Sequence, residues 1–295
     1  MNRTRLSSID IAGITLGAIA FLIVVGSLVG LIRQRTFGFP PWEGGPMFSI
    51  GGAVREEKDD QVPGTFTELE IRNIAGSIDI RGSDASSGVA IHSVKTAPFQ
   101  GALDNVRVDI QQRGNRLVVE ERHDRGFVFR TGTVSFQVAI PKGMKVVEAH
   151  SVSGSIAVHD VESGIDQTLS SVSGSIATSV ARNLDASSTS GGIEFAFAGD
   201  RLKAHSVSGS ISGEIRSLDP SGRADLSTVS GSVTVNAFAG LDATVSLHSL
   251  SGRVSCDFPV LVAEQKNNRL RGKIGAGSAS LDAGTTSGSI AINKM

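Results

Sequence analysis

The chain has 295 residues, 28 of them basic and 29 acidic, for a formal net charge of −1. That balance provides no broad field to hold nucleic acid or an anionic surface, so neither is expected as a partner. A single cysteine excludes an intramolecular disulfide, and 35 glycines describe a backbone that turns often.

Residues 1–10 read as a cytoplasmic N-terminus. Ile11 to Ile32 then runs for 22 residues without a charge. As a helix this run covers about 33 Å, enough for a bilayer core of about 30 Å. A cleaved signal peptide has a shorter apolar part, and no cysteine stands at the end of the run to carry a lipid. The sequence therefore predicts a transmembrane helix over 11–32, with the membrane as its partner. Arg3, Arg5 and the amino terminus precede the run, whereas Arg33 and Arg35 follow it. The positive-inside rule leans towards a cytoplasmic N-terminus and an extracytoplasmic C-terminal domain. Residues 33–64 contain Pro40-Pro41 and Gly44-Gly45-Pro46 and read as a juxtamembrane linker.

Residues 65–145 read as a first coil and a flanking hairpin region. Leu69 and Ile71 precede Gly76; Ile78 and Ile80 follow it. Val106, Val108 and Ile110 alternate up to a turn at Gly114-Asn115, and Leu117 and Val119 return. That is a hairpin pattern. Val134, Phe136, Val138 and Ile140 form a further strand, ending at Pro141-Lys142-Gly143.

Residues 146–295 are repetitive. Ser-Val-Ser-Gly-Ser-Ile occurs at Ser151–Ile156, Ser171–Ile176 and Ser206–Ile211. The central glycines Gly154, Gly174, Gly191, Gly209, Gly231 and Gly252 are 20, 17, 18, 22 and 21 residues apart. Gly288 follows after 36, a step expected to hide one degenerate coil around Arg271-Gly272-Lys273-Ile274. Two residues after these glycines stand Ile156, Ile176, Ile193, Ile211, Val233, Val254 and Ile290. Five and seven before are mostly Ala, Leu or Val; one and three before are Ser or Thr. Period-two alternation is a strand with one inward face. Its parity changes at the glycine, so the glycine is the corner. The expected fold is all-β: a parallel β-helix, or β-solenoid, of about eight to nine coils, on the order of 40 Å long at the strand spacing. The isoleucine file and both hydroxyl files are expected to point inward. The chain stops soon after its last strand, which predicts an uncovered terminal coil open to strand pairing and a possible homo-oligomer.

Chemistry is sparse. His150, His205 and His248 share the position four before the glycine, too far apart along the axis for one metal. They are expected on a solvated face. Asp and Glu occupy different columns without the convergence a glycosidase needs. Cys256 falls in an inward column and reads as a small buried hydrophobe. No catalytic, cofactor-binding or metal-ligating residue is assigned, and no cofactor is expected.

The corner phrases, the stretch Val138–Val146, and the ending Gly272–Gly277 with Thr286–Ile290 together resemble the bacterial putative-adhesin family, over roughly Phe66 to Met295. Several copies here carry Ser after the glycine where many members carry Asp. The resemblance implies a β-solenoid, commonly membrane-anchored, in the cell envelope, with no catalytic residues to carry over. The resulting expectation is a membrane-anchored, non-catalytic interaction or adhesion module whose partner is an unidentified envelope protein or surface ligand. The alternatives are a self-assembling envelope scaffold or envelope-stress accessory protein and, more remotely, a carbohydrate-active enzyme.

Overall fold

The computed structural model describes residues 47–50, 53–123 and 132–295, all within the unit Glu43–Met295. The run 11–32 expected to cross a membrane lies outside the described residues. Among those described, no helix is long and apolar enough to cross one.

The elements that open the chain are β1 (Met47–Ile50), β2 (Ala53–Val62), β3 (Glu68–Ala75), β4 (Ile78–Gly82), β5 (Val89–Ala97), a short helix α1 (Gln100–Leu103), β6 (Val106–Arg113), β7 (Arg116–His123) and β8 (Thr133–Ile140). The repeats then give β9 (Val146–Ser153), β10 (Ile156–His159), β11 (Asp166–Ser173), β12 (Ile176–Ser190), β13 (Ile193–Ser208), β14 (Ile211–Ser230) and β15 (Val233–Ala237). Last come β16 (Ala243–Ser251), β17 (Val254–Cys256), β18 (Leu261–Lys266), β19 (Arg269–Ile274), β20 (Ala279–Ser287) and β21 (Ile290–Lys294).

Each coil contributes one strand before its glycine and one after. The strands before the corners pair in one parallel ladder, in which Leu169 meets Ala149 and Ala186. Those after pair in a second, in which Ile156 meets Ile78 and Ile176. Between the ladders lies a continuous apolar core. Its files are the predicted ones: Ile156, Ile176, Ile193, Ile211, Val233 and Ile290 are all essentially buried. Val254 departs from the expectation. It is only partly buried, because its coil ends the stack and β17 pairs on one side alone among the described residues.

The stack does not follow the sequence at either end. β20 pairs with β14 on one side and β16 on the other; β21 likewise lies between β15 and β17. The Gly288 coil is therefore inserted between the Gly231 and Gly252 coils. The expectation of a bare C-terminal coil is corrected: the last strands are internal. No degenerate coil fills the 36-residue step either. β18 and β19 form an antiparallel hairpin that caps β16. At the other end β7 and β8 form a rung beyond Gly76, pairing in parallel with β3 and β4. β6 then covers β7, and β5, β2 and β1 extend the second ladder by antiparallel pairing.

The span read as a linker thus contains a ten-residue strand, β2. Hydropathy conceals it because an inward position is charged. Glu56 is buried and paired with Lys95 on β5 at 3.2 Å. The burial cost of each charge is offset by the other, so the pattern alternates without being apolar.

Candidate interaction face

The corner glycines come first because they fix which side chains face out. A Cβ at Gly174 would overlap the carbonyl oxygen of Gly154. The same relation links Gly154 to Gly76, Gly191 to Gly174, Gly209 to Gly191, Gly231 to Gly209, Gly288 to Gly231 and Gly252 to Gly288. Gly76 itself meets the carbonyl of Val134. Close backbone approach is the shared demand; a left-handed φ occurs only at Gly76 and Gly288.

Only one of the two hydroxyl files lies inside. Three before the glycine, Ser171, Ser188, Ser206, Thr228, Ser249 and Thr285 are buried. Each donates its hydroxyl to the glycine carbonyl of a neighbouring coil, at 2.8–3.1 Å. The serines immediately before the glycine are exposed, which corrects the expected inward direction. The chain turns one residue earlier than the parity of the pattern indicates. Their carbonyls accept the glycine N–H of a neighbouring coil, as Ser173 does from Gly154 at 3.0 Å.

The Gly76 corner replaces hydroxyls with other groups. Asn73 takes the buried position, and its amide donates to the carbonyls of Gly76 at 2.7 Å and Val134 at 3.0 Å. That leaves the Ser151 hydroxyl without a partner. Below it, the fully buried Glu121 accepts the N–H groups of Ile74 at 2.6 Å and Ala75 at 2.9 Å, and its other oxygen lies 2.6 Å from His123 Nε2. Sequence reasoning missed this pair. The signal available was an acid and a histidine at i and i+2, on one side of a strand.

With these directions set, the outer face of the first ladder is defined. Two before each glycine stand Ile74, Val152, Val172, Thr189, Val207, Val229, Thr286 and Leu250, in stacking order. This file, aliphatic except for Thr189 and Thr286, is half-buried apart from Leu250, which is exposed. Beside it runs the histidine file. His150 and His205 are half-buried rather than solvated, and hydrogen-bond to Ser170 (2.6 Å) and Ser227 on the next coil. Burial holds both imidazoles below the usual histidine range, so they are neutral at pH 7. His248 stacks over Gly284, where no side chain intervenes. The next file out carries Glu70, Glu148, Asp185, Lys203, Asp225 and Asp282. Arg116, Arg223 and Lys203 bridge acids in and around it.

No group of three or more His, Cys, Asp or Glu able to hold a metal occurs among the described residues. A shallow cleft of about 270 Å³ lies between Gly82–Asp84, Ile140–Lys142 and Asp160–Ile165. Three of its charged groups are engaged: Lys142 with Asp84 at 3.0 Å, and Glu162 with the N–H of Gly143 at 3.2 Å. Cys256 is half-buried, and burial raises its thiol above the usual range, which disfavours the nucleophilic thiolate.

Among solved structures, the chain is similar to a putative cell adhesion protein from Clostridium sporogenes (8% identity, 81% of this chain and 100% of that one, TM-score 0.34). It is similar to a putative adhesin from Bacteroides fragilis (9%, 81% and 96%, TM-score 0.36). It is also similar to a putative lipid binding protein from Parabacteroides distasonis (12%, 82% and 96%, TM-score 0.28). Likenesses at these scores carry no argument about this chain. No curated protein matches it. The Toastrack DUF4097 family matches residues 64–293, the stretch that holds every corner described above, and the chain belongs to that family.

Proposed function

We propose that this chain is a non-catalytic interaction module of the cell envelope, held at the membrane by residues 11–32 and presenting its solenoid outside the cytoplasm. The observation that carries the reading is the outer face of the first ladder. A file of side chains passes along eight coils there, aliphatic on six and threonine on two, flanked by neutral histidines and serines and then by paired charges. Such a face offers a long, repetitive, mixed surface to a partner and assembles no reacting centre. The partner it suits is an extended envelope protein or surface polymer that can lie along the axis.

Binding of the full-length chain to isolated membrane and cell-wall fractions tests this. Val207→Lys with Val229→Lys places two charges in the middle of the aliphatic file and is expected to weaken binding at least tenfold, with an unchanged melting temperature. Absence of binding to every fraction, or binding indifferent to the two lysines, overturns the assignment.

A further inference from the structure

Two of the three imidazoles in the histidine file have an arginine directly across the first ladder. His150 on β9 pairs with Arg72 on β3, at the joint between the Gly76 and Gly154 coils. His248 on β16 pairs with Arg269 on β19, at the joint between the Gly252 coil and its capping hairpin. Neighbouring strands lie about 4.8 Å apart, and side chains directly opposite share a face. All four of these side chains are half-buried. His205, in the middle of the stack, lies between Ser187 and Ser227 instead.

We propose that this file is a proton-sensitive seam: when its imidazoles take up protons in a mildly acidic medium, the stack loosens at the two joints where the new charge meets an arginine. Like charges directly opposite on a sheet repel, and a guanidinium keeps its charge throughout. His150 is faced by Arg72 and Glu70 from β3, by Glu148 from its own strand and by the Ser170 hydroxyl from β11 at 2.6 Å. Both acids are held by other cations: Arg72 bridges Glu70, and Arg116 of β7 reaches Glu70 at 3.0 Å and Glu148 at 3.4 Å. Glu120, which faces Arg72 from β7, is held by Arg122 at 2.8 Å. His248 is faced by Arg269 and Arg271 from β19, by Lys266 and Glu264 from β18 beyond them, and by Gly284 and Asp282 from β20. Gly284 offers no counter-charge. Glu264 lies 3.1 Å from Lys266 and 4.0 Å from Arg269, and Asp282 lies 3.7 Å from Arg223.

Burial agrees with the direction of the effect. It holds the His150 and His205 imidazoles below the usual histidine range, and at His150 the Arg72 charge adds to burial while Glu70 opposes it. A group that resists its proton in the folded chain costs stability as pH falls below the ordinary value of about 6.5, where the unfolded chain takes that proton up. The seam is therefore closed at neutral pH and loosens as the medium turns acid. The hairpin joint is the more exposed of the two, because among the described residues the hairpin pairs with β16 alone. An outer pair of strands of that kind opens more readily than an inner coil.

The test is hydrogen exchange of the full-length chain in detergent at about pH 7.5 and about pH 5.5, a window in which histidine is the side chain that ordinarily titrates. Each rate is divided by the intrinsic rate of its peptide at that pH. In acid, β3 with β9 and β16 with β19 are expected to exchange at least threefold faster, whereas β15, an inner strand of the second ladder without histidine, keeps its rate. His150→Gln is expected to remove the response at the first joint alone, and His248→Gln at the second alone. Arg269→Gln leaves His248 to titrate but takes away the opposing charge, and is expected to shrink the response at the hairpin at least twofold; protonation without repulsion would leave it whole. No response at either joint in the wild type, a response shared equally by β15, one that survives both histidine substitutions, or one that Arg269→Gln leaves unchanged overturns the proposal. The wild-type ratio and Arg269→Gln decide the matter even where a histidine substitution disturbs its joint at neutral pH. None of these outcomes depends on whether the aliphatic face has a partner, and its own test is separate.

Discussion

At the scale of single residues, the corner glycine is required by what lies under it. In a solenoid each corner stacks on the corner below at the strand spacing of about 4.8 Å. The bend brings one glycine onto the carbonyl of another, where a methyl group has no room. Gly209→Ala is therefore expected to cost about 3 kcal/mol, the upper range for overpacking, because both contacting atoms are backbone. Gly192 makes a sharp control. It occupies the position after the corner where neighbouring coils carry serine, and a Cβ there would meet only the Ser210 carbonyl at 3.3 Å. Gly192→Ser should change stability by no more than about 0.5 kcal/mol. Urea midpoints of the two variants check the pair, and equal losses would remove close approach as the reason for the corner glycine. The sequence showed the hydroxyls two residues apart but not that only one faces in. Both are serine or threonine, and a hydroxyl is at home in water or on a buried carbonyl.

At the scale of elements, position in the stack outweighs position in the repeat. Ile211 and Val254 occupy the same file of the pattern. Ile211 is fully buried between coils, whereas Val254 lies on the final coil with solvent on one side. Ile211→Ala is expected to cost about 3 kcal/mol or more, from lost burial and the cavity left behind. Val254→Ala should cost about 1 kcal/mol, since much of its surface is already wet. Thermal or urea unfolding of both distinguishes them, and equal costs would mean that the end is covered by something further. The in-register files were legible because alternation and spacing repeat. Stacking order was not, for a related reason. Every coil offers nearly the same Ala/Leu, hydroxyl and Ile files, so the repeat pattern by itself does not say which coils are neighbours. What selects the observed order is the hairpin of β18 and β19. It runs back antiparallel on β16, takes one face of the Gly252 coil, and leaves the Gly288 coil the other. β2 escaped for a different reason: its inward faces pair charges instead of burying hydrocarbon.

At the scale of the whole molecule, repeat proteins usually lose stability coil by coil from their ends, because each unit touches only its neighbours. Here the last strands in the sequence are not last in space. β20 and β21 form the layer between the Gly231 and Gly252 coils, so the strands on either side depend on them. Removing residues 276–295 therefore takes out an inner layer. Without it β16 and β17 keep no parallel neighbour, and only the β18–β19 hairpin still pairs with β16. A two-strand attachment of that kind is marginal in water. Hydrogen exchange should show amide protection across Ala243–Cys256 collapsing in the shortened chain, while β9 to β13 stay protected because their neighbours are untouched. A solenoid stacked in chain order gives the opposite result: Ala243–Cys256 would keep its protection, and only the deleted coil would be missing. Persistence of that protection would show that the inserted layer is not what holds the end of the stack.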